Sequence, residues 1–569
     1  RAAPGRRDAG PSKYELAMHA DPPPVVSSTS GRGRRLLLVL VLAGAPAIAS
    51  PQALPLEEVV LTARKVAESL ADVPLSIEVV GRDRLGSGAF DGMRSLAADV
   101  PGLYYETMWG GSGSAAILRG QSSPSTAGDN VGVFVDGVYQ AARSMIDVEA
   151  LDIERVEVVR GPQSTMFGHS TFAGAIHYVS RAPTSEVESG ATLEAGSDDY
   201  LGASAHLSGP LDGESLLGRL AVSARSFAGT GENAASGEAL GGFRRNAVAA
   251  TLATTGEGSW SATLSGRLTH VEQSHPAVTP LTYPDYNCGS QDPVSGAWSY
   301  YCGRFPERGG TEVSVGVPDS KADAWQLALG IAWQLGELQV RSDTSMYRAS
   351  AERFRDFDAT ADGDVFGVCT LEDNCSGPVG VPRTVDRLVL VNEVQAQWPE
   401  VEELSQEVRV SGRNWMLGLA AYLTHELEHA GFGADGSGLG PSERLTAYLP
   451  ATPFIVGPLS NFNRALVADP DTMQVEQTKT RTTSQVIGLF GALDHELSAQ
   501  WRLRGELRAN FERIKIDNVT ANYQPGFGDA IEPLDFFDLT PRLSVEYRRD
   551  GETLAHHWWD TFHFFSHAW

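Results

Sequence analysis

From about Glu188 to Leu554 the chain repeats one pattern, a run of roughly ten residues in which apolar and polar side chains alternate. "YLGASAHLSGPL", "LLGRLAVSARSF", "SWSATLSGRLTHVEQ", "DAWQLALGIAWQLG", "WMLGLAAYLTHELE" and "LTPRLSVEYRRD" are instances. A period of two is that of a β-strand and puts the apolar residues on one face. Ten residues is also about the length that a tilted strand needs to cross a bilayer. Tight turns such as Leu335-Gly336-Glu337 join some runs, and long Gly/Asp/Pro-rich connections join the others. A soluble β-sandwich accounts for the period but not for long connections that return after each strand pair. The pattern therefore predicts about twelve strands of an antiparallel transmembrane β-barrel. A mean hydropathy of −0.17 does not oppose this, because polar lumen-facing residues dilute the lipid-facing ones.

The sequence has one long apolar run, "RGRRLLLVLVLAGAPAIAS", which excludes a helical membrane bundle. Arg32, Arg34 and Arg35 precede it and Ala47-Ile48-Ala49 follows, so residues 18–49 read as a signal peptide cleaved near Ala49. Met18 is the only methionine upstream of the run, which puts Arg1 to Ala17 outside the native coding region. Export makes the four cysteines legible. Cys288 with Cys302, and Cys369 with Cys375, read as staples across loops in an oxidising compartment, with zinc ligation the alternative. A net charge of −26, from 45 basic and 71 acidic residues, repels phosphate backbones and argues against nucleic-acid partners.

Between signal and barrel the texture is that of a compact α+β domain. "LSIEVVG" reads as a strand, "FDGMRSLAADVPG" as a short helix, "VGVFVDGVY" as two strand arms about Asp136-Gly137, and "IERVEVVRGP" as a strand stopped by proline. Ahead of it, Glu58-Val59-Val60-Leu61-Thr62 is a short extended segment with no partner nearby in sequence. It suits either a first strand or the edge of a foreign sheet.

Two stretches imitate metal chemistry. "HELEH" places His425, Glu426 and His429 as a zinc peptidase would, but that geometry needs a helix, and the preceding residues alternate as a strand does. "DATADGDVFGVC" begins as an EF-hand and has Cys369 where a glutamate is required. No phosphate-binding or nucleophile motif is present, so the chain reads as a non-enzyme without cofactor or resident metal.

"EEVVLTAR", "DVPLSIEVV", "AADVPGLYY", "AAILRGQ", "VGVFVDGVY" and "DIERVEVVRGPQSTMFGHSTFAGAIHYVSRAP" together resemble, in order and spacing, the TonB-dependent outer-membrane receptors of Gram-negative bacteria. The resemblance implies a small α+β plug domain (64–183) inside a barrel (184–554), and a periplasmic TonB-box segment (50–63) whose residues Glu58 to Thr62 bind TonB. It implies a role in TonB-energised uptake of a scarce ligand, most often a ferric siderophore, across the outer membrane. A passive barrel or adhesin, and less readily a zinc peptidase, are the alternatives. Gly161, Gly168 and Gly174 would supply turns where side chains would strike the barrel. Arg119 and Arg160 would lock to the wall, with Glu407 as partner, or else cap turns within the plug. Tyr104, Tyr105 and Trp109 would face ligand. In this family the barrel has about 22 strands, so the chain is expected to stop before closure, with Ala555 to Trp569 an aberrant, out-of-frame tail.

Overall fold

The computed structural model describes residues 60–61, 68–69, 76–85, 92–107, 114–121, 130–141, 148–168, 170–213, 215–255, 258–278, 287–291, 298–303, 311–313, 319–356, 364–370, 387–391, 394–433, 454–456, 475–518, 531–549, 552–559 and 562–565. The signal-peptide segment, Trp109, Cys375 and the EF-hand-like aspartates lie outside them.

The α+β domain is built on a five-stranded sheet in the order Ile77–Gly81, Ile153–Arg160, Gly174–Ser180, Val131–Val135, Val138–Tyr139. Only Val131–Val135 against Gly174–Ser180 is parallel. Asp136 (φ 51°) and Gly137 (φ 85°) make the two-residue turn between the last two arms, which needs left-handed backbone at both positions. The helix Gly92–Asp99 buries Met93 and Leu96 against Val131, Val133, Val156, Val158, Ile176 and Tyr178.

Alternation along Ile153–Arg160 predicts a solvated face for Glu157, yet Glu157 is fully buried. It accepts a hydrogen bond from Arg155 Nε at 2.8 Å and lies 3.7 Å from His177 Nδ1. Burial pushes its carboxyl up, but His177 and Arg155 outweigh burial and hold it below the usual carboxylate range.

After this domain comes one antiparallel fifteen-stranded sheet filling thirteen positions, with three small sheets of two or three strands in its connections. In order the thirteen positions are Glu188–Ala195, Leu201–Asp212, Leu216–Phe227, Phe243–Thr254, Trp260–Gln273, Ser320–Leu335, Leu338–Asp356, Glu400–Ser411, Trp415–Gly433, Val475–Glu496, Trp501–Asn518, Ile531–Arg549 and Glu552–Trp559. Two positions are broken, so that fifteen strands fill thirteen positions: Val394–Gln397 continues the line of Glu400–Ser411, and Phe562–Phe565 that of Glu552–Trp559, the one position beyond the expected twelve. Backbone within 555–569, expected to be aberrant, thus pairs with Ile531–Arg549. The sheet is not closed: among the described residues Glu188–Ala195 and Glu552–Trp559 each have one neighbour.

The outward face carries the exposed apolar side chains, among them Leu264, Leu268, Leu327, Leu329, Leu417, Leu419, Ile487 and Leu489. Aromatic residues mark the short-turn end: Trp260 opposite Trp333, then Trp415, and Trp501 tilted against Tyr547 with ring centroids 4.8 Å apart. Charged and polar residues mark the other: His270 on Asp323 at 2.7 Å, Arg244 on Glu272 at 2.8 Å, Arg513 on Asp535 at 2.7 Å. Trp260 and His270, and likewise Asp323 and Trp333, stand ten residues apart. Ten residues rise about 33 Å along a strand, or about 25 Å at a tilt near 40°, the height of an outer-membrane apolar band.

Candidate functional site

The α+β domain lies against the inward face of the sheet, and the contacts between them are made largely by arginines of the wall. Arg219, almost fully buried, forms two bonds of 2.6 Å to the carboxylate of Asp152. Arg225 bonds Glu149 at 2.7 Å. Arg267 donates to the carbonyls of Glu149 (3.1 Å) and Leu151 (2.9 Å) and to Ser180 Oγ at 3.4 Å. Leu151 completes the seat by packing with Ala221 and Ala247. The segment Val148–Ile153 thus docks on three neighbouring strands.

Further round the wall the contacts become neutral and apolar. Gln140 donates to Gln326 at 3.0 Å, and Val138 packs among Tyr347, Ala349 and Val401. Phe134, Met166 and Phe167 fill a cluster with Met416, Ala420, Phe490 and Ala492. Then charge returns: Arg542 donates to Gln163 at 3.0 Å and pairs with Glu506, and the buried Arg508 lies over the Phe490 ring.

Gly168 (φ +83°) closes over that arginine, since a Cβ there would stand 2.6 Å from Arg508 Nη2. Any side chain at Gly168 would thus meet a guanidinium of the wall. Gly161 (φ +91°) serves the turn after the Ile153–Arg160 strand. At Gly174 the obstacle is internal to the domain, the Val159 carbonyl and Leu118.

The arginine lock is corrected in direction. Arg160 bonds Glu78 within the domain at 2.8 Å, and Arg119 is exposed in a turn with φ 54°. Glu407 lies 3.2 Å from Arg409 on its own strand. The wall supplies the guanidinium groups and the domain the carboxylates, because the domain's Arg160 is held by Glu78 on the paired Ile77–Gly81 strand. Wall arginines at inward positions of alternating strands, as in "LLGRLAVSARSF", were the signal available in the sequence.

Val60–Leu61, expected to lack a nearby partner, pairs with Glu68–Ser69; Glu58, Val59 and Thr62 lie outside the described residues. Tyr104 is 60% exposed and Tyr105 half-buried on the strand Leu103–Thr107, with Arg353 of the wall in electrostatic reach of Tyr105 and Glu428. Cys288 and Cys302 form the expected disulfide, while Cys375, the expected partner of Cys369, lies outside the described residues. "HELEH" sits inside the strand Trp415–Gly433, so His425 and Glu426 project to opposite faces. His425 Nδ1 is 3.1 Å from Thr483 Oγ1, and no metal-ligating group of three gathers among the described residues.

A domain seated on the inward face of an antiparallel sheet, whose outward face carries an apolar band between aromatic and charged borders, defines a plugged outer-membrane barrel fold. Residues 69–175 match the TonB-dependent receptor plug domain, and the sheet has the barrel fold of those receptors. The pesticin receptor of Yersinia pestis is 31% identical over 204 residues, 35% of this chain and 30% of that one. The ferrioxamine B receptor of Salmonella typhimurium is 29% identical over 155 residues, 26% of this chain and 22% of that one. The matches thus span less than a third of these curated relatives. Among solved structures, the ferric yersiniabactin uptake receptor of Yersinia pestis aligns with a TM-score of 0.55 at 17% identity, covering 86% of this chain and 72% of that one. The siderophore receptor of Acinetobacter baumannii aligns at 0.59 and 14%, covering 86% and 64%. At these identities the likeness is one of fold.

Proposed function

We propose that the protein works as a TonB-dependent receptor that takes up a ferric siderophore across the outer membrane, energised by TonB through Glu58 to Thr62. The observation that carries this reading is a plug domain pinned on the inward face of the sheet by buried charge pairs. A seat of that kind blocks passive flow, so transport needs work done on the plug. The outer membrane has no nucleotide pool of its own, and strand addition by a periplasmic partner to the N-terminal segment supplies that work mechanically. The choice of an iron chelate is supported by relatives named as receptors for ferrioxamine B and ferric yersiniabactin, and one named as an iron-regulated virulence protein; a vitamin B12 transporter is also among them. Tyr104, Tyr105 and Trp109 are the proposed ligand-facing residues, with Arg353 beside Tyr105 suited to an anionic chelate.

The test is uptake of radioactive iron from a panel of ferric siderophores by iron-starved cells carrying the gene. Deleting Glu58 to Thr62 is expected to abolish uptake and leave surface binding intact. Uptake that survives the deletion would identify a passive barrel instead.

A further inference from the structure

The turn at Asp136-Gly137 hangs on the strand Gly174–Ser180 by three hydrogen bonds, and one of them ends on a titratable atom. Asp136 N–H donates to the Tyr178 carbonyl at 3.0 Å, and Ser180 N–H donates to Asp136 Oδ1 at 2.8 Å. The third runs from Gly137 N–H to Nε2 of the buried His177 at 3.1 Å. On its other side the ring places Nδ1 3.7 Å from Glu157 Oε2. An Nε2 that accepts a hydrogen bond carries no proton, so the imidazole here is neutral, with its proton on Nδ1 toward Glu157.

A second proton on this ring would set Nε2–H against Gly137 N–H, two donors face to face. Turning the ring over does not help, because both nitrogens of an imidazolium are donors. Glu157 and Arg155 lie on the strand paired with that of His177, so they act on the ring alike whether the turn is held or released. Asp136 would draw a cation, but its carboxylate is engaged by Ser180 and stands in electrostatic reach of Arg267 of the wall. The two states of the turn therefore differ at Nε2. The held state binds one proton fewer there, so its stability is greatest where His177 is neutral and falls as pH is lowered.

The arms of this turn meet the wall. Val138 packs among Tyr347, Ala349 and Val401, Gln140 donates to Gln326, and Phe134 joins the cluster of Met416 and Phe490. Tyr139 stands in electrostatic reach of Glu403 and Glu426. We propose that His177 is a proton-sensitive clamp, which when neutral holds the turn and seats residues 134–140 on the wall, and when protonated releases them.

The test follows the full chain in lipid vesicles by hydrogen exchange at about pH 7.5 and about pH 5.5, the span in which imidazoles change charge. Rates are corrected for the intrinsic pH dependence of exchange. Glu157 keeps its charge across this span. Protection over 131–141 is expected to fall about tenfold at the lower pH, the weight of one hydrogen bond, while 153–160 keeps its protection. His177→Gln puts an amide oxygen that does not titrate near the place of Nε2, and is expected to abolish the difference between the two pH values. Glu157→Gln removes the carboxylate that favours the imidazolium and is expected to shrink the difference, which keeps the test decisive if the first variant does not fold. Equal protection of 131–141 at both pH values in the wild type, a loss shared equally by 153–160, or a fall that either folded variant reproduces in full overturns the proposal. The measurement uses neither TonB nor a siderophore, so its outcome is independent of the uptake reading.

Discussion

At Asp152 a carboxylate takes two bonds from a guanidinium that is itself 1% exposed, so removing it leaves that buried charge only the longer contact to Glu188 at 3.8 Å. Asp152→Ala is expected to weaken plug seating by about 3–5 kcal/mol, read as faster proteolysis of the plug in the folded protein; protection equal to wild type would show that the pair is solvated. Gly168→Ala adds a methyl 2.6 Å from Arg508 Nη2 on left-handed backbone, expected to cost about 1–3 kcal/mol. In an Arg508→Ala background the overlap disappears and only the backbone cost of about 1 kcal/mol remains, so a double-mutant cycle measured by urea unfolding must show coupling. Glu157 titrates below its unfolded value, so its stabilisation is fully present above about pH 4.3 and is lost as pH falls through the lower folded value. Glu157→Gln is expected to flatten the acid limb of plug stability; an unchanged limb would mean that other carboxylates govern it.

The elements themselves were legible where one face meets one environment. Alternation in "WMLGLAAYLTHELE" places Leu417 and Leu419 outward and Met416 and Ala420 inward, as burial bears out. Legibility failed where both faces are covered, as at Glu157, because a strand in the middle of the plug sheet has no wet side to which its polar residues can be assigned. It failed again at the locks: a sequence shows that arginines and carboxylates exist, but which side of an interface each occupies depends on register and on a wall hundreds of residues away. The strand face offers its own test. Leu419, half exposed in mid-band, is expected on replacement by arginine to cost about 2–4 kcal/mol in lipid, whereas the same change at His425, at the charged border, is expected to cost less than about 1 kcal/mol. Equal unfolding midpoints in lipid vesicles would place the band elsewhere.

For the whole molecule the question is what the sheet can enclose. A plug of some hundred residues has a radius of gyration of about 13 Å, hence a width of about 33 Å. Thirteen strand positions spaced about 4.8 Å apart and tilted about 40° would close on a backbone diameter of about 26 Å, from which inward side chains take about 10 Å. Such a cylinder is about half as wide as the plug it would have to hold. About twenty-two strands give a clear width of about 34 Å by the same reckoning, which fits. The open edges at Glu188–Ala195 and Glu552–Trp559 follow from this geometry, because wall arginines at both Arg219 and Arg542 already grip the plug and keep the edges apart. Thr192→Cys with Ala555→Cys, one on each edge, is therefore expected not to form a disulfide in the folded, plug-bearing chain under mild oxidation. An intramolecular cross-link formed while Asp152 and Gln163 keep the plug protected from protease would show that thirteen positions can close around it and that the width argument is wrong.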